Sequence, residues 1–142
     1  MKQQQVERFK MTVPSVLINI LNDAIQLGSI NIHFTLTEKN DILIQMRTKN
    51  VMLPRFRIAL DTYKQILEYI NLNADLTPAN KDFPLSGQSG NLIIYEEQKI
   101  FKCRISILQT SKFRSLILQL ETLHSKAYRL KRIAEIEAFL IL

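Results

Sequence analysis

Few residues in this chain of 142 could do chemistry, and their spacing decides which chemistry is open to it. Histidine occurs at His33 and His124, cysteine at Cys103 alone, and glycine at Gly28, Gly87 and Gly90. A nucleotide-hydrolysing loop needs G-x-x-x-x-G-K-[ST], because the amides of a glycine-rich turn cradle phosphates while the lysine neutralises their charge. None of the three glycines precedes a lysine, so the expectation is that the chain is not itself such an enzyme. A metal site needs clustered thiolates and imidazoles, and two histidines with one distant cysteine do not supply that spacing. No serine stands in the G-x-S-x-G frame of a nucleophile elbow. Cys103 is expected to be a small buried hydrophobe, and His33, on the polar side of its segment, a hydrogen-bonded structural residue. One stretch stands out, "FKCRISIL" at 101–108. Phe101, Cys103, Ile105 and Ile107 alternate with Lys102, Arg104 and Ser106, a half-buried strand with an arginine at mid-strand. Either that polar face is simply solvated, or Arg104 reaches for something anionic.

The elements that would hold these residues follow from hydrophobic period. From Pro14 to Gly28 the apolar residues Val16, Leu17, Ile20, Leu21, Ala24 and Ile25 recur at helical spacing behind a proline suited to a first turn, and Gly28 is a natural stop. The period then changes to two. Ile30, Ile32 and Phe34 predict one strand and Ile42, Ile44 and Met46 a second, joined through Glu38–Asp41. Lys49-Asn50 predicts another turn, and a third strand starts at Val51, which Pro54 confines to an edge or interrupts with a bulge. Asp61 is expected to cap a helix whose apolar face is Tyr63, Ile66, Leu67 and Ile70, ending near Ala74. Residues 75–91 contain Pro78, Pro84, Gly87 and Gly90 and predict an irregular stretch. Three strands follow, near 91–95, 99–108 and 115–121, and then a helix from about 123 to 139.

Connections of hairpin length require antiparallel neighbours, since parallel pairs need a crossover of a dozen or more residues. The fold class expected is α+β, a mostly antiparallel sheet in the order helix, three strands, helix, three strands, with a C-terminal helix. The chain divides into a polar segment at 1–13, one domain at 14–121 and a tail at 122–142. The tail stops on the apolar Phe139–Leu142, as if cut short.

Composition bounds the function more loosely. Nineteen Lys and Arg against thirteen Asp and Glu leave a formal charge of +6 and a pI of about 9.6, a bias toward anionic partners. No apolar run approaches the roughly 20 residues that span a bilayer, and the start, MKQQQVERFK, lacks the apolar segment of a secretory signal. A cytoplasmic, soluble protein is expected. Cations cluster at Arg55-Phe56-Arg57, Lys112-Phe113-Arg114 and Arg129–Arg132. The aromatics Phe34, Tyr95 and Phe101 do not make the basic, glycine-containing run of an RNA-recognition strand, which speaks against direct contact with nucleic acid.

Four stretches, in order, resemble the domain that precedes the motor in type II secretion and type IV pilus assembly ATPases, nearest the competence-pilus branch of Gram-positive bacteria. "LNDAIQLGSINIHF" resembles that family's opening helix and A-S-D-I-H-F strand, and "ILIQMRTKN" a strand ending R-x-D-G. "DTYKQILEYINLNADL" resembles the following helix and its exit, and "CRISILQTSKFRSLILQL" the run L-R-x-S-T-L-P-T-x-x-G-E-S-L-V-I-R-L. The resemblance covers about residues 15–120. It departs at Asn31 for Asp, Lys49-Asn50 for Asp-Gly, Gln109 for Pro, Phe113-Arg114 for Gly-Glu and Gln119 for Arg, while "NKDFPLSG" keeps Pro84 and Gly87 of a loop and loses its charged residues. The resemblance implies a PAS-like domain within a hexameric ring. Arg104 and Arg47 would face nucleotide phosphates, with His33, Lys102 and Ser106 in support and Pro84 and Gly87 shaping the loop. It implies ATP and magnesium for the full-length family and none for this chain alone. The partners implied are the motor domain or full-length ATPase subunits and an inner-membrane pilus platform protein, which would place the chain at the inner face of the membrane in a DNA-uptake machine. Residues 122–142 would be a shortened linker to a missing motor. A free-standing basic module that takes nucleic acid through the sheet and the 55–57 and 112–114 clusters, or a degenerate remnant, are the alternatives.

Overall fold

The structure, a computed structural model, describes residues 12–78, 87–96, 99–110 and 112–121. The expected C-terminal helix, Pro84 and most of the polar N-terminal segment lie outside the described residues. Helix α1 spans Ser15–Leu27 and is followed by β1 (Asn31–Leu36), β2 (Asp41–Thr48) and β3 (Val51–Ala59). Helix α2 covers Leu60–Asn73 and leads into β4 (Thr77–Pro78), β5 (Gly87–Tyr95), β6 (Ile100–Gln109) and β7 (Arg114–Leu120). The strands form one sheet in the order β3-β2-β1-β7-β6-β5-β4. Every neighbouring pair is antiparallel. The fold is therefore α+β with an antiparallel sheet, and the first and last strands meet at its centre.

Alternation along the strands separates the two faces. Ile32, Phe34, Ile42, Ile44, Met46, Leu92, Ile94, Leu116, Leu118 and Leu120 point to the side where Leu17, Ile20, Leu21 and Ala24 of α1 and Tyr63, Ile66 and Ile70 of α2 are buried. Burial of such side chains contributes about 1.5–3 kcal/mol each, so both helices are held against that one face. Phe101, Cys103, Ile105 and Ile107 join the same core, as their alternation predicts. Burial pushes the Cys103 thiol up to about 12, with Glu121 adding to the shift. The thiolate, which is the reactive form, is thereby suppressed. A thiol reagent at neutral pH is expected to leave Cys103 unmodified in native protein and to modify it promptly in urea, and fast native labelling would contradict its burial.

Local chemistry explains the boundaries. Gly28 takes a left-handed conformation (φ +75°), letting its N–H and that of Ser29 donate to the carbonyls of Ile25 and Ala24 at the end of α1. Pro54 lies on β3, an edge strand, and the pairing shifts there: Ile44 faces Phe56 and Gln45 faces Pro54, leaving Arg55 unpaired as a bulge. The bulge turns Arg55 toward α1, where its guanidinium donates two bonds, 2.8 and 2.7 Å, to the Asp23 carboxylate. Those bonds hold the Asp23 carboxyl below the usual carboxylate range.

Two boundaries differ from expectation. The N-cap of α2 is Ala59, and Asp61 instead sits inside the first turn, where its charge favours the positive end of the helix dipole. Within residues 75–91, two segments pair as strands, Thr77–Pro78 with Gln88–Ser89, and Gly87–Asn91 with Arg104–Leu108. Glycine disfavours a strand by local propensity. At Gly90 a contact outweighs it, since the backbone of Asp75 passes so close that a Cβ would stand 2.4 Å from its carbonyl oxygen.

Candidate functional site

The helices cover one face of the sheet, and the outward side chains of β1, β2, β6 and β7 make the other. Register assembles them into rows that run across the strands. The most polar row reads Arg47, Asn31, Gln119, Arg104 and Asn91 on β2, β1, β7, β6 and β5. It contains two guanidiniums, three amides and no acid, so it presents hydrogen-bond donors from end to end. Arg47, Gln119, Arg104 and Asn91 are exposed and Asn31 is half-buried. Strands lie roughly 4.8 Å apart, which sets the backbones of Arg47 and Arg104 about 14 Å from each other, three spacings.

Beside this row runs a second, Gln45, His33, Ile117, Ser106 and Ser89. His33 thus neighbours Arg47 diagonally. Partial burial, and then the Arg47 charge, lower its pKa below the ordinary 6.5, which favours the neutral imidazole. Lys102 is exposed on the same face of β6, opposite Ile93, and Ser106 is half-buried there. The five polar residues singled out from the sequence, Arg47, Arg104, His33, Lys102 and Ser106, therefore share one face. Gly87 lies at the far end of that face from Lys102, one row beyond Ser106. It is buried at the start of β5, paired with Leu108.

Other cations are committed elsewhere. Arg55 is bonded to Asp23 on the helix side. Arg57 lies 3.3 Å from Asp41, whose carboxyl is held low first by a hydrogen bond from the Thr37 hydroxyl and then by Arg57. Arg114 donates 2.9 Å to the Gln88 side chain, and Phe56 and Phe113 pack on the core. The clusters at 55–57 and 112–114 that suggested a nucleic-acid surface thus serve mainly as internal ties. Among the described residues, neither Arg47 nor Arg104 is ion-paired.

Asn91 was not singled out in the sequence, and it belongs to the row solely because β5 pairs with β6 in this register. Nothing local to "SGNLIIY" marks it. Among the described residues no three of His, Cys, Asp and Glu gather closely enough to hold a metal ion, and no helix is long and apolar enough to cross a membrane. What the face can do chemically is donate hydrogen bonds and positive charge to an extended anionic or carbonyl-rich partner. The chain matches no protein-family model and no curated protein sequence.

Proposed function

We propose that this chain is a non-catalytic domain of the type that precedes the motor in secretion and pilus assembly ATPases, with a PAS-like arrangement of its strands, working at the cytoplasmic side of a competence or type IV pilus machine. The observation that carries the reading is the pair Arg47 and Arg104, in one acid-free row on the side of the sheet that α1 and α2 leave open among the described residues. In that role the domain binds no nucleotide alone. It lays the row against a nucleotide-binding motor partner, where Arg104, and Arg47 beside His33, stabilise phosphate charge from outside the motor's own loop. Lys102 and Ser106 flank Arg104 on the same strand face and position the contact.

The test is ATP turnover by the assembly ATPase motor of the same cell with and without this chain. Addition of the wild-type chain is expected to change turnover, and Arg104→Ala is expected to reduce that effect about tenfold or more, since arginines placed on a transferring phosphoryl group contribute large factors. Arg104 is exposed, so its removal leaves folding within about 0.5 kcal/mol of wild type. A wild-type chain that neither binds the motor nor alters turnover, or an Arg104→Ala chain as effective as wild type, overturns the reading.

A further inference from the structure

We infer that the open sheet face is a binding surface for single-stranded nucleic acid, with phosphates on the Arg47–Arg104 row and bases against the neighbouring ends of β5 and β6. The basic clusters that the sequence offered for this purpose are tied to Asp23, Asp41 and Gln88. On the open face of the sheet, the exposed cations without an ion-pair partner among the described residues are Arg47, Lys102 and Arg104, and that face also exposes apolar surface. Tyr95 is 71% and Ile93 45% exposed, and Ile93 pairs directly with Lys102. Asn91, in the same strand, pairs with Arg104. An antiparallel surface that combines an accessible aromatic with adjacent cations is the combination that binds single strands. Every base has a face to stack, and the backbone phosphates follow the positive charge. A duplex hides its base faces and would use neither Tyr95 nor Ile93.

Charge complementarity also favours this occupant over a second copy of the chain. A copy would bring the same unpaired arginines, whereas a polyanion neutralises them. The donors between the arginines, Asn31 and Gln119, suit phosphate and base oxygens alike. Such binding needs no motor partner, so it succeeds or fails separately from the effect on ATP turnover.

Fluorescence anisotropy of a labelled 20-mer of deoxythymidine, titrated with the full chain between 50 and 300 mM NaCl, tests the surface. Saturable binding that weakens with salt is expected. Because each single-strand phosphate contact contributes about 0.7 to the slope of log K against log salt, Arg47→Ala with Arg104→Ala should flatten the slope by about 1.4. Tyr95→Ala should weaken binding about fivefold or more through lost stacking. Lys64→Ala with Lys39→Ala, which removes two exposed charges away from the row, should leave the slope within half of that change. No saturation at 50 mM NaCl, an unchanged slope in the arginine variant, or full affinity in Tyr95→Ala overturns the inference. Equal displacement of the oligonucleotide by poly-glutamate would assign the face to an acidic protein instead and overturn it too.

Discussion

Tyr63→Ala is expected to lower the free energy of unfolding by about 3–5 kcal/mol, the range for removing a large buried aromatic. Tyr63 is 1% exposed and stands at the junction of α2 with the sheet. Its ring lies 5.8 Å from that of Phe34 on β1 and 5.4 Å from that of Phe113, both stacked, and its hydroxyl donates to the carbonyl of Arg114 at the start of β7. One side chain thus ties the second helix to the first and last strands. Tyr63→Phe keeps the rings and loses the hydroxyl, so about 1 kcal/mol is expected, with up to about 3 if the carbonyl is left without a partner. Burial raises the phenol above its ordinary 10.0, the Arg114 charge opposing it weakly. The folded state therefore holds the phenolic proton more tightly than the unfolded chain. The stability tied to that proton is intact below pH 10 and is lost as the pH rises beyond it, and Tyr63→Phe should lessen the alkaline decline, leaving the part that the buried Cys103 and Tyr69 contribute. Urea unfolding with an unchanged m-value is the measurement. A loss below about 1.5 kcal/mol in Tyr63→Ala would mean that the ring is not the joint described.

Gly90→Ala is expected to destabilise the protein by about 1–3 kcal/mol through overpacking. The added methyl would stand 2.4 Å from the Asp75 carbonyl oxygen and 2.8 Å from its carbon. Asp75 cannot retreat freely, because its N–H donates 3.1 Å to the Asn91 carbonyl while its carboxylate accepts from the Asn91 N–H. The clash thus falls on the segment that carries the chain from α2 to the sheet edge. Gly28 provides the contrast. A Cβ there meets nothing within 4 Å, and the strain of Gly28→Ala comes from its left-handed backbone alone, about 1–2 kcal/mol. Asparagine tolerates that conformation, so Gly28→Asn should recover part of the loss, whereas Gly90→Asn should recover none. Equal behaviour of the two pairs would contradict the close approach at Asp75.

Much of the architecture was legible before any coordinates. The helix at Ser15–Leu27 with its Gly28 stop, the β1–β2 hairpin, the edge character of β3 at Pro54 and the inward set Phe101, Cys103, Ile105 and Ile107 all follow from period and backbone chemistry. These signals are local. A glycine that must take a positive φ, or a proline that cannot donate, announces itself within a few residues of its effect. The expectation weakened where local and tertiary preferences disagree. Residues 87–90, Gly-Gln-Ser-Gly, have loop composition, yet they complete β5 because β6 offers a full ladder of partners and the Asp75 backbone excludes any side chain at Gly90. The cap of α2 was misplaced for a related reason: Asp61 is a good capping residue, but β3 runs on to Ala59 and the helix starts directly from it.

For the candidate site, the sequence by itself determined the cast: an outward Arg104 between Lys102 and Ser106, an outward Arg47, and His33 on a polar face. A strand's alternation decides which side each side chain takes, and alternation is written in the residues. Tertiary structure alone decided which of them meet. The antiparallel pairing of β1 with β7 closes strands more than eighty residues apart into one sheet, and its register aligns Arg47 with Arg104 through Asn31 and Gln119. It also decided which cations remain available, by turning Arg55 through a bulge onto Asp23 and folding Arg114 inward to Gln88. Register and ion pairing depend on partners distant along the chain, set by how apolar faces pack. No spacing within a single segment encodes them.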